Sequence, residues 1–330
     1  MRLRTVLLFL VLVALIAGAF GWLVLTPVAA LREGGLIVNI PPHEGLRGIA
    51  QRLAEAGVIR SEWAFLALTG VRGSMRQLKA GEYEIPRGGS TYDVVVLLES
   101  GKVRQHPVLH PEGATVSELA RVLENERLAT TQAVAKVASD PQFLKSMGIT
   151  GSSVEGYLFP DTYQFVRGMA PEEMLGRMVQ RMRAKLTPDL IDKARARGLD
   201  VHGLLTLASI IEREAVAREE MRTIAAVFWN RLKVDMPLQA DPTVQYAVAK
   251  ERAALTRADL QLDHPYNTYR RTGLPPGPIA SPSLAAIQAA VDPAPVSFLY
   301  FVAIDERRHH FSTTIDEHNA AVARYRLSRQ

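Results

Sequence analysis

Read for the period of its apolar positions, the chain changes character twice. Val6–Leu25 (VLLFLVLVALIAGAFGWLVL) is an apolar run of 20 residues without a charge. As a helix rising about 1.5 Å per residue, it is long enough to cross about 30 Å of hydrocarbon. From Leu36 the pattern becomes a short apolar strand, a Pro/Gly turn and one amphipathic helix, repeated in three pieces. These are VNIPPHEGLRGIAQRLAEAG from Val38, YEIPRGGSTYDVVVLLESG from Tyr83 and PVLHPEGATVSELARVLEN from Pro107. In the second piece Pro86–Gly89 break the strand, Ser90 is placed to cap the helix and Gly101 lies just past its end. Ser61 heads a further helix, SEWAFLALTGV. Pieces this small cannot bury a core alone, so Leu36 to about Val103 is expected to pack as one small α+β module.

From about Gln105 the pattern is longer-range. Helices are predicted over Thr115–Asn125, Pro171–Lys185, Pro188–Gly198, His202–Ala217, Glu219–Leu232 and Ser283–Val291. The strongest strand signal is Phe298–Ile304, and the turn and HHFSTT that follow suggest a hairpin. Long polar loops are expected at Leu238–Tyr246 and His264–Ser281; loops of this length are more often functional than idle. The expected class is α+β in three parts: residues 1–30 as cytoplasmic N-terminus and transmembrane anchor, 31–104 as the small module, and 105–330 as a larger mixed α+β domain.

Composition narrows the function. Of 330 residues, 48% are hydrophobic and 22% charged, which is ordinary for a globular protein. The net charge of +5 is not gathered into a basic, aromatic-interleaved patch, so no nucleic-acid partner is expected. The chain has no cysteine, which excludes disulfides, thiolate zinc sites and a cysteine nucleophile. Arg2 and Arg4 before the apolar run, with Trp22 near its far end, argue for a cytoplasmic N-terminus and an exported bulk. The expected location is the cytoplasmic (inner) membrane, single-pass, with the rest of the chain in the periplasm or outside. A cleaved signal peptide is the alternative. The run is longer than a usual signal core, and the small residues near Ala29 and Ala30 form only a weak cleavage site.

Candidate chemistry centres on LASIIEREA, Leu207–Ala215. On a wheel of about 100° per residue centred on Ile211, residues Leu204, Leu207, Ala208 and Ala215 fall within about 60°. Glu214 lies along this apolar stripe and Glu212 at its edge; Arg213 and Ser209 point away. A carboxylate against aliphatic side chains is costly to ionise, so its pKa rises, and a carboxylic acid still protonated near neutral pH suits a general acid. The general acid of lysozyme is tuned in the same way. The alternative is a structural pair with Arg218 or Arg231. Two loops add polar and aromatic groups: Glu155-Gly-Tyr157-Leu-Phe-Pro-Asp161-Thr-Tyr163, and Gln239-Ala-Asp241-Pro-Thr243-Val-Gln245-Tyr246, joined by Tyr266-Asn267-Thr268-Tyr269. Such a set could form a carbohydrate groove, or simply hydrogen-bond its own loops. There is no Walker loop, GxGxxG, HExxH or GxSxG, and the histidines do not form a ligand set. Neither metal nor cofactor is expected.

The stretches EGYLFPDTY (155–163), LASIIEREA (207–215), VFWNRL (227–232), LQADPTVQYA (238–247), YNTY (266–269), TGLPPGPIASP (272–282), LYFVA (299–303) and a terminal HNAAVARY occur in this order. Together they resemble the MltG/YceG family of endolytic murein transglycosylases, from about residue 36 to the C-terminus. Arg213 stands where that family has lysine. The resemblance implies cleavage of peptidoglycan between N-acetylmuramic acid and N-acetylglucosamine, a 1,6-anhydro product and no consumption of water. It implies Glu214 as the catalytic glutamate and a LysM-like character for the small module. Nascent glycan strands near the membrane are then the expected substrate, cleavage there would terminate elongation, and membrane-bound glycan synthases are expected partners. Candidate substrate contacts are Glu155, Tyr157, Asp161, Gln239, Asp241, Thr243, Tyr246, Asn267 and Tyr269. A muramidase-type hydrolase, with Asp241 or Glu155 as base, and an inactive peptidoglycan-binding scaffold remain the alternatives.

Overall fold

The computed structural model describes residues 2–28, 35–86, 88–250, 252–305 and 307–328. It is a mixed α+β chain with an apolar N-terminal helix, and it divides into two compact units. The expected boundary near residue 30 and the weak cleavage site at Ala29 and Ala30 lie outside the described residues.

The first unit comprises Met1–His106 and Gln164–Gly168. Helix α1 (Arg2–Leu25) is the long apolar run. It is followed by β1 (Leu36–Ile40), α2 (Leu46–Glu55), α3 (Glu62–Val71), β2 (Gly81–Ile85) and α4 (Thr91–Ser100). Strands β1 and β2 pair antiparallel, with Val38 opposite Tyr83 and Leu36 opposite Ile85. Their inward residues Val38, Ile40, Tyr83 and Ile85 share a core with Leu53, Phe65, Val95 and Leu98. The caps expected from sequence are formed. Ser61 accepts from the Ala64 N–H, Ser90 forms a capping box with Asp93, and Gly101 closes α4 in the left-handed region at φ 68°.

The second unit comprises Pro107–Tyr163 and Met169–Gln330. Strand β3 (Gln105–His110) pairs with β4 (Asp161–Val166), and each strand contributes residues to both units. Between them in sequence lie α5 (Val116–Asn125), α6 (Thr131–Ala138) and α7 (Pro141–Ser146). Then follow α8 (Pro171–Lys185), α9 (Pro188–Ala196), α10 (Val201–Glu214), a 3-10 turn at Arg218–Glu220, and α11 (Met221–Lys233). The chain ends with α12 (Asp241–Ala247), α13 (Arg257–Gln261), α14 (Leu284–Val291), the hairpin β5 (Tyr300–Ala303) and β6 (His309–Ser312), and α15 (Ile315–Ser328). Helix α10 packs against α9, α11, α12 and α14.

Around the end of α10, three features differ from the sequence reading. Helix α10 stops at Glu214, not Ala217, because Ala215 turns to extended backbone (ψ 118°). Residues 241–247 are helix, not loop; Pro242 in the first turn supplies a helical φ without needing a hydrogen bond there. Ser209 points away from the apolar stripe but is fully buried, since every residue from Leu204 to Ile211 is buried. Its hydroxyl donates to the Thr206 carbonyl (2.8 Å) and accepts from the Ile279 N–H (3.0 Å), so the polar group is satisfied in the core.

Candidate active site

The site is built on the end of α10. Asp200 caps the start of that helix by accepting from the Gly203 N–H at 2.7 Å. Three residues at its far end diverge in role. Arg213 donates to the Gly113 carbonyl (3.2 Å) in the β3–α5 connection. Glu212 accepts from the Ser283 N–H (2.9 Å) at the head of α14. Burial pushes its proton affinity up, and the Ser283 bonds oppose that shift. Glu214 is half-buried and opens on both sides.

Two clefts meet at Glu214. One, of about 480 Å³, is walled by Glu112, Gly113, Glu212, Gln245 and Arg252. The other, of about 440 Å³, is walled by Arg231, Gln239, Tyr269, Tyr300, Phe301 and His318. Glu214 and Asp241 line both. Burial is the main reason that the Glu214 carboxyl holds its proton up to about pH 8, from an ordinary value of 4.5. The Asp241 charge adds to this. Arg231, Arg213 and a hydrogen bond from the Asp241 backbone N–H work against it. The carboxyl also sits at a helix C-terminus, where the helix dipole disfavours negative charge.

The polar frame around it is well tied. Tyr269 Oη donates to Asp241 Oδ1 at 2.5 Å; burial first, then Asp241, pushes its phenol up. Arg231, 6% exposed, donates from Nε to the Leu299 carbonyl and from Nη1 to the Leu238 carbonyl, both at 2.7 Å. Its guanidinium lies 5.5 Å from the centre of the Tyr300 ring. Gln239 has left-handed backbone (φ 49°), donates its N–H to the Thr268 carbonyl (3.0 Å) and accepts weakly from Arg231 (3.4 Å). No ion pair to Glu214 is found among the described residues. Arg218 pairs instead with Glu112 at 2.5 Å, and Arg231 directs its donors to backbone carbonyls.

Of the sequence candidates, Gln239, Asp241 and Tyr269 gather with Glu214. The other six are placed elsewhere. Glu155 is buried and accepts from the Val116 N–H (3.2 Å) at the start of α5; with Tyr246 it lines a separate recess of about 390 Å³. Tyr157 is buried, its phenol pushed up to about 12, and Oη meets His202 Nδ1 at 2.8 Å. Asp161 pairs with Arg181 at 2.8 Å. Thr243 donates to the Ala240 carbonyl (2.7 Å) and meets Thr268 Oγ1 at 2.9 Å. Asn267 donates to the carbonyls of Leu260 (3.0 Å) and Leu262 (2.7 Å) and accepts from the Tyr269 N–H (3.0 Å), which shapes the loop carrying Tyr269. Sequence reasoning missed Glu112, Arg252, Tyr300, Phe301 and His318 as cleft residues, and considered Arg231 only as a partner for Glu214. They come from segments far apart in the chain, and no spacing rule brings them together.

The chain matches the family described as YceG-like over residues 38–324. It is 34% identical over 332 residues to a Bacillus subtilis (strain 168) protein named endolytic murein transglycosylase; the alignment covers 94% of this chain and 91% of that one. A protein of the same name from Streptococcus pneumoniae serotype 2 is 32% identical over 96% of this chain, which spans 64% of that longer relative. A crystal structure of a putative yceG-like protein from Listeria monocytogenes superposes with a TM-score of 0.62 at 32% identity, covering 88% of this chain and 99% of that one.

Proposed function

The chain belongs to the YceG-like family, and on that premise we propose that it is a peptidoglycan lytic transglycosylase that cuts within glycan strands. The bond cut is the β-1,4 link from N-acetylmuramic acid to N-acetylglucosamine, and the product carries a 1,6-anhydro end. Helix α1 anchors the chain in the cytoplasmic membrane with its N-terminus inside. Nascent strands are the substrate, and cutting them ends elongation beside membrane-bound synthases. The small module of residues 31–104, which holds β1 to α4, is LysM-like and binds glycan.

The observation that carries the reading is a carboxyl still protonated up to about pH 8 at the meeting point of two clefts. A glycan strand lying through both clefts would present its scissile bond to Glu214. The acid donates its proton to the glycosidic oxygen as the C1–O bond breaks. The carboxylate then takes the proton of the C6 hydroxyl while that oxygen bonds to C1. One proton leaves and returns, so the cycle closes without water and without a second carboxylate, unlike a two-acid glycosidase. Developing positive charge at C1 would be met by Asp241, held by Tyr269. The rings of Tyr269, Tyr300 and Phe301 offer stacking faces for sugar. Asn267 shapes the loop that carries Tyr269, while Glu155, Tyr157, Asp161, Thr243 and Tyr246 lie outside the linings of the two clefts.

The test is a digest of uncrosslinked peptidoglycan strands with the full-length protein beside Glu214→Gln, read by mass spectrometry. Anhydro ends from the first and none from the second are expected. Reducing ends would mean that water attacked, with Asp241 as the candidate base. Strands bound but uncut by either protein would leave only the scaffold.

A further inference from the structure

Helix α1 does not leave the first unit as a free tether. Leu3–Ala19 are exposed, but from Phe20 onward the helix packs on that unit's core, and Val24 is 3% exposed. Thr91 Oγ1 donates to the Leu23 carbonyl at 3.3 Å, and the Val28 N–H donates to the Gly89 carbonyl at 3.2 Å. Arg60 donates to the Pro27 carbonyl (2.5 Å), and its guanidinium lies 4.7 Å from the centre of the Trp22 ring. The ring of Trp63, at the start of α3, lies 6.2 Å from that of Phe20.

Length makes this packing consequential. Val6–Ala19, the uncovered part of the uncharged run, has 14 residues. At about 1.5 Å per residue it covers about 21 Å, short of the roughly 30 Å of hydrocarbon to be crossed. The missing length, about 9 Å, is what Phe20–Leu25 supply. Those are the residues packed on the first unit, so the groups that touch them share their depth. Trp63 is 59% exposed although it adjoins Phe20. Helix α3 (EWAFLALTGV) carries one charge, Glu62 at its first position, and its outer side presents Trp63, Leu66, Ala67 and Val71. A helix apolar on every face belongs in a core or against lipid. Tryptophan favours the boundary between hydrocarbon and headgroups, and an arginine beside it can reach lipid phosphates.

Resting on the reading of α1 as the anchor, we infer that α3 is a second membrane contact. The Trp63 end of α3 lies at the outer lipid boundary beside Phe20 and Trp22, and the first unit is held against the bilayer surface. The occupant of this apolar face is lipid, because the face is continuous with the spanning helix.

Full-length protein in vesicles of phosphatidylethanolamine and phosphatidylglycerol tests this, using phospholipid brominated on its acyl chains near the headgroup as quencher. Trp22→Phe with Trp229→Phe leaves Trp63 as the sole tryptophan; Trp63→Phe with Trp229→Phe leaves Trp22. Loss of Trp63 emission comparable to that of Trp22, with little quenching by aqueous iodide, is expected. Quenching of Trp22 by lipid while Trp63 responds only to iodide overturns the inference and leaves the anchor standing. Protection of Trp63 from both quenchers means that another chain covers the face, which also overturns it. Absence of lipid quenching for both tryptophans removes the anchor and this contact together.

Discussion

Asp241 acts on Glu214 in two opposite ways: its charge raises the proton affinity of the carboxyl, and its backbone N–H lowers it. The amide is fixed in the first turn of α12, while the side chain is held by Tyr269. The group that makes ionisation hard therefore also offers a donor to the carboxylate once it forms. That combination suits a residue that must serve first as acid and then as base.

The two glutamates of α10 should separate cleanly. Glu214→Gln should lower turnover of glycan strands by about 10²- to 10⁴-fold, the usual contribution of a positioned proton donor. Glu212→Ala should retain detectable turnover and instead cost about 1–2 kcal/mol of stability, because the Ser283 N–H at the head of α14 loses its acceptor. Product analysis and denaturant unfolding on both variants read the two effects.

The activity of the native protein should fall as pH rises through about 8, where Glu214 loses its proton. Neighbours should move this limb in opposite directions. Asp241→Asn removes a charge that favours the protonated form and should shift the limb to lower pH. Arg231→Met removes a charge that favours ionisation and should shift it higher. The second variant should also lose about 2–3 kcal/mol of stability, because the carbonyls of Leu238 and Leu299 lose their donor. The pH dependence of kcat/KM is the measurement.

Stability should carry the same signature. The folded chain holds the Glu214 proton up to about pH 8, while a glutamate at its ordinary 4.5 releases it far earlier. Between these values the folded state binds more protons, so this contribution to stability declines as pH rises and is lost through about pH 8. Glu214→Gln has no such slope, so its stability relative to the native protein should climb by about 3–5 kcal/mol between the ordinary glutamate range and a pH just above 8. Unfolding curves at several pH values would check this; parallel trends in the two proteins would refute it.

His110 predicts the opposite slope at acid pH. It is fully buried, its Nε2 meets Ser281 Oγ at 2.8 Å, and burial lowers its proton affinity from 6.5 to about 4. Stability that is present above pH 6.5 should decline by about 3 kcal/mol as pH falls to about 4. His110→Gln should abolish that part of the acid sensitivity, read from the same unfolding curves. The effect reaches the cleft, since Ser281 exchanges backbone hydrogen bonds of 2.9 Å with Gly113 and Ala114.

Local rules read much of this chain correctly. The unbroken apolar run, the caps at Ser61 and Ser90, the glycine stop at Gly101 and the hairpin after Phe298 depend on neighbours a few residues apart. The apolar stripe of α10 likewise singled out Glu214, because which side of a helix a residue occupies follows from 3.6-residue periodicity. Signals were weaker where an element is short or poorly patterned. Helices α6, α7, α13 and α15 and strand β4 escaped notice, and α12 read as a loop because its helical turns begin with Asp-Pro.

Residue order alone was thus enough for the local elements, the long apolar N-terminal helix and one carboxylate on an apolar stripe, since propensity, capping and period are properties of nearby residues. Packing in three dimensions was needed to end α10 at Glu214 and to bring Asp241 and Tyr269 to it while Glu155 and Asn267 stay away. It also turned the donors of Arg231 toward backbone carbonyls. Those outcomes depend on burial and on contacts between segments as far as 68 residues apart, where local periodicity carries no information.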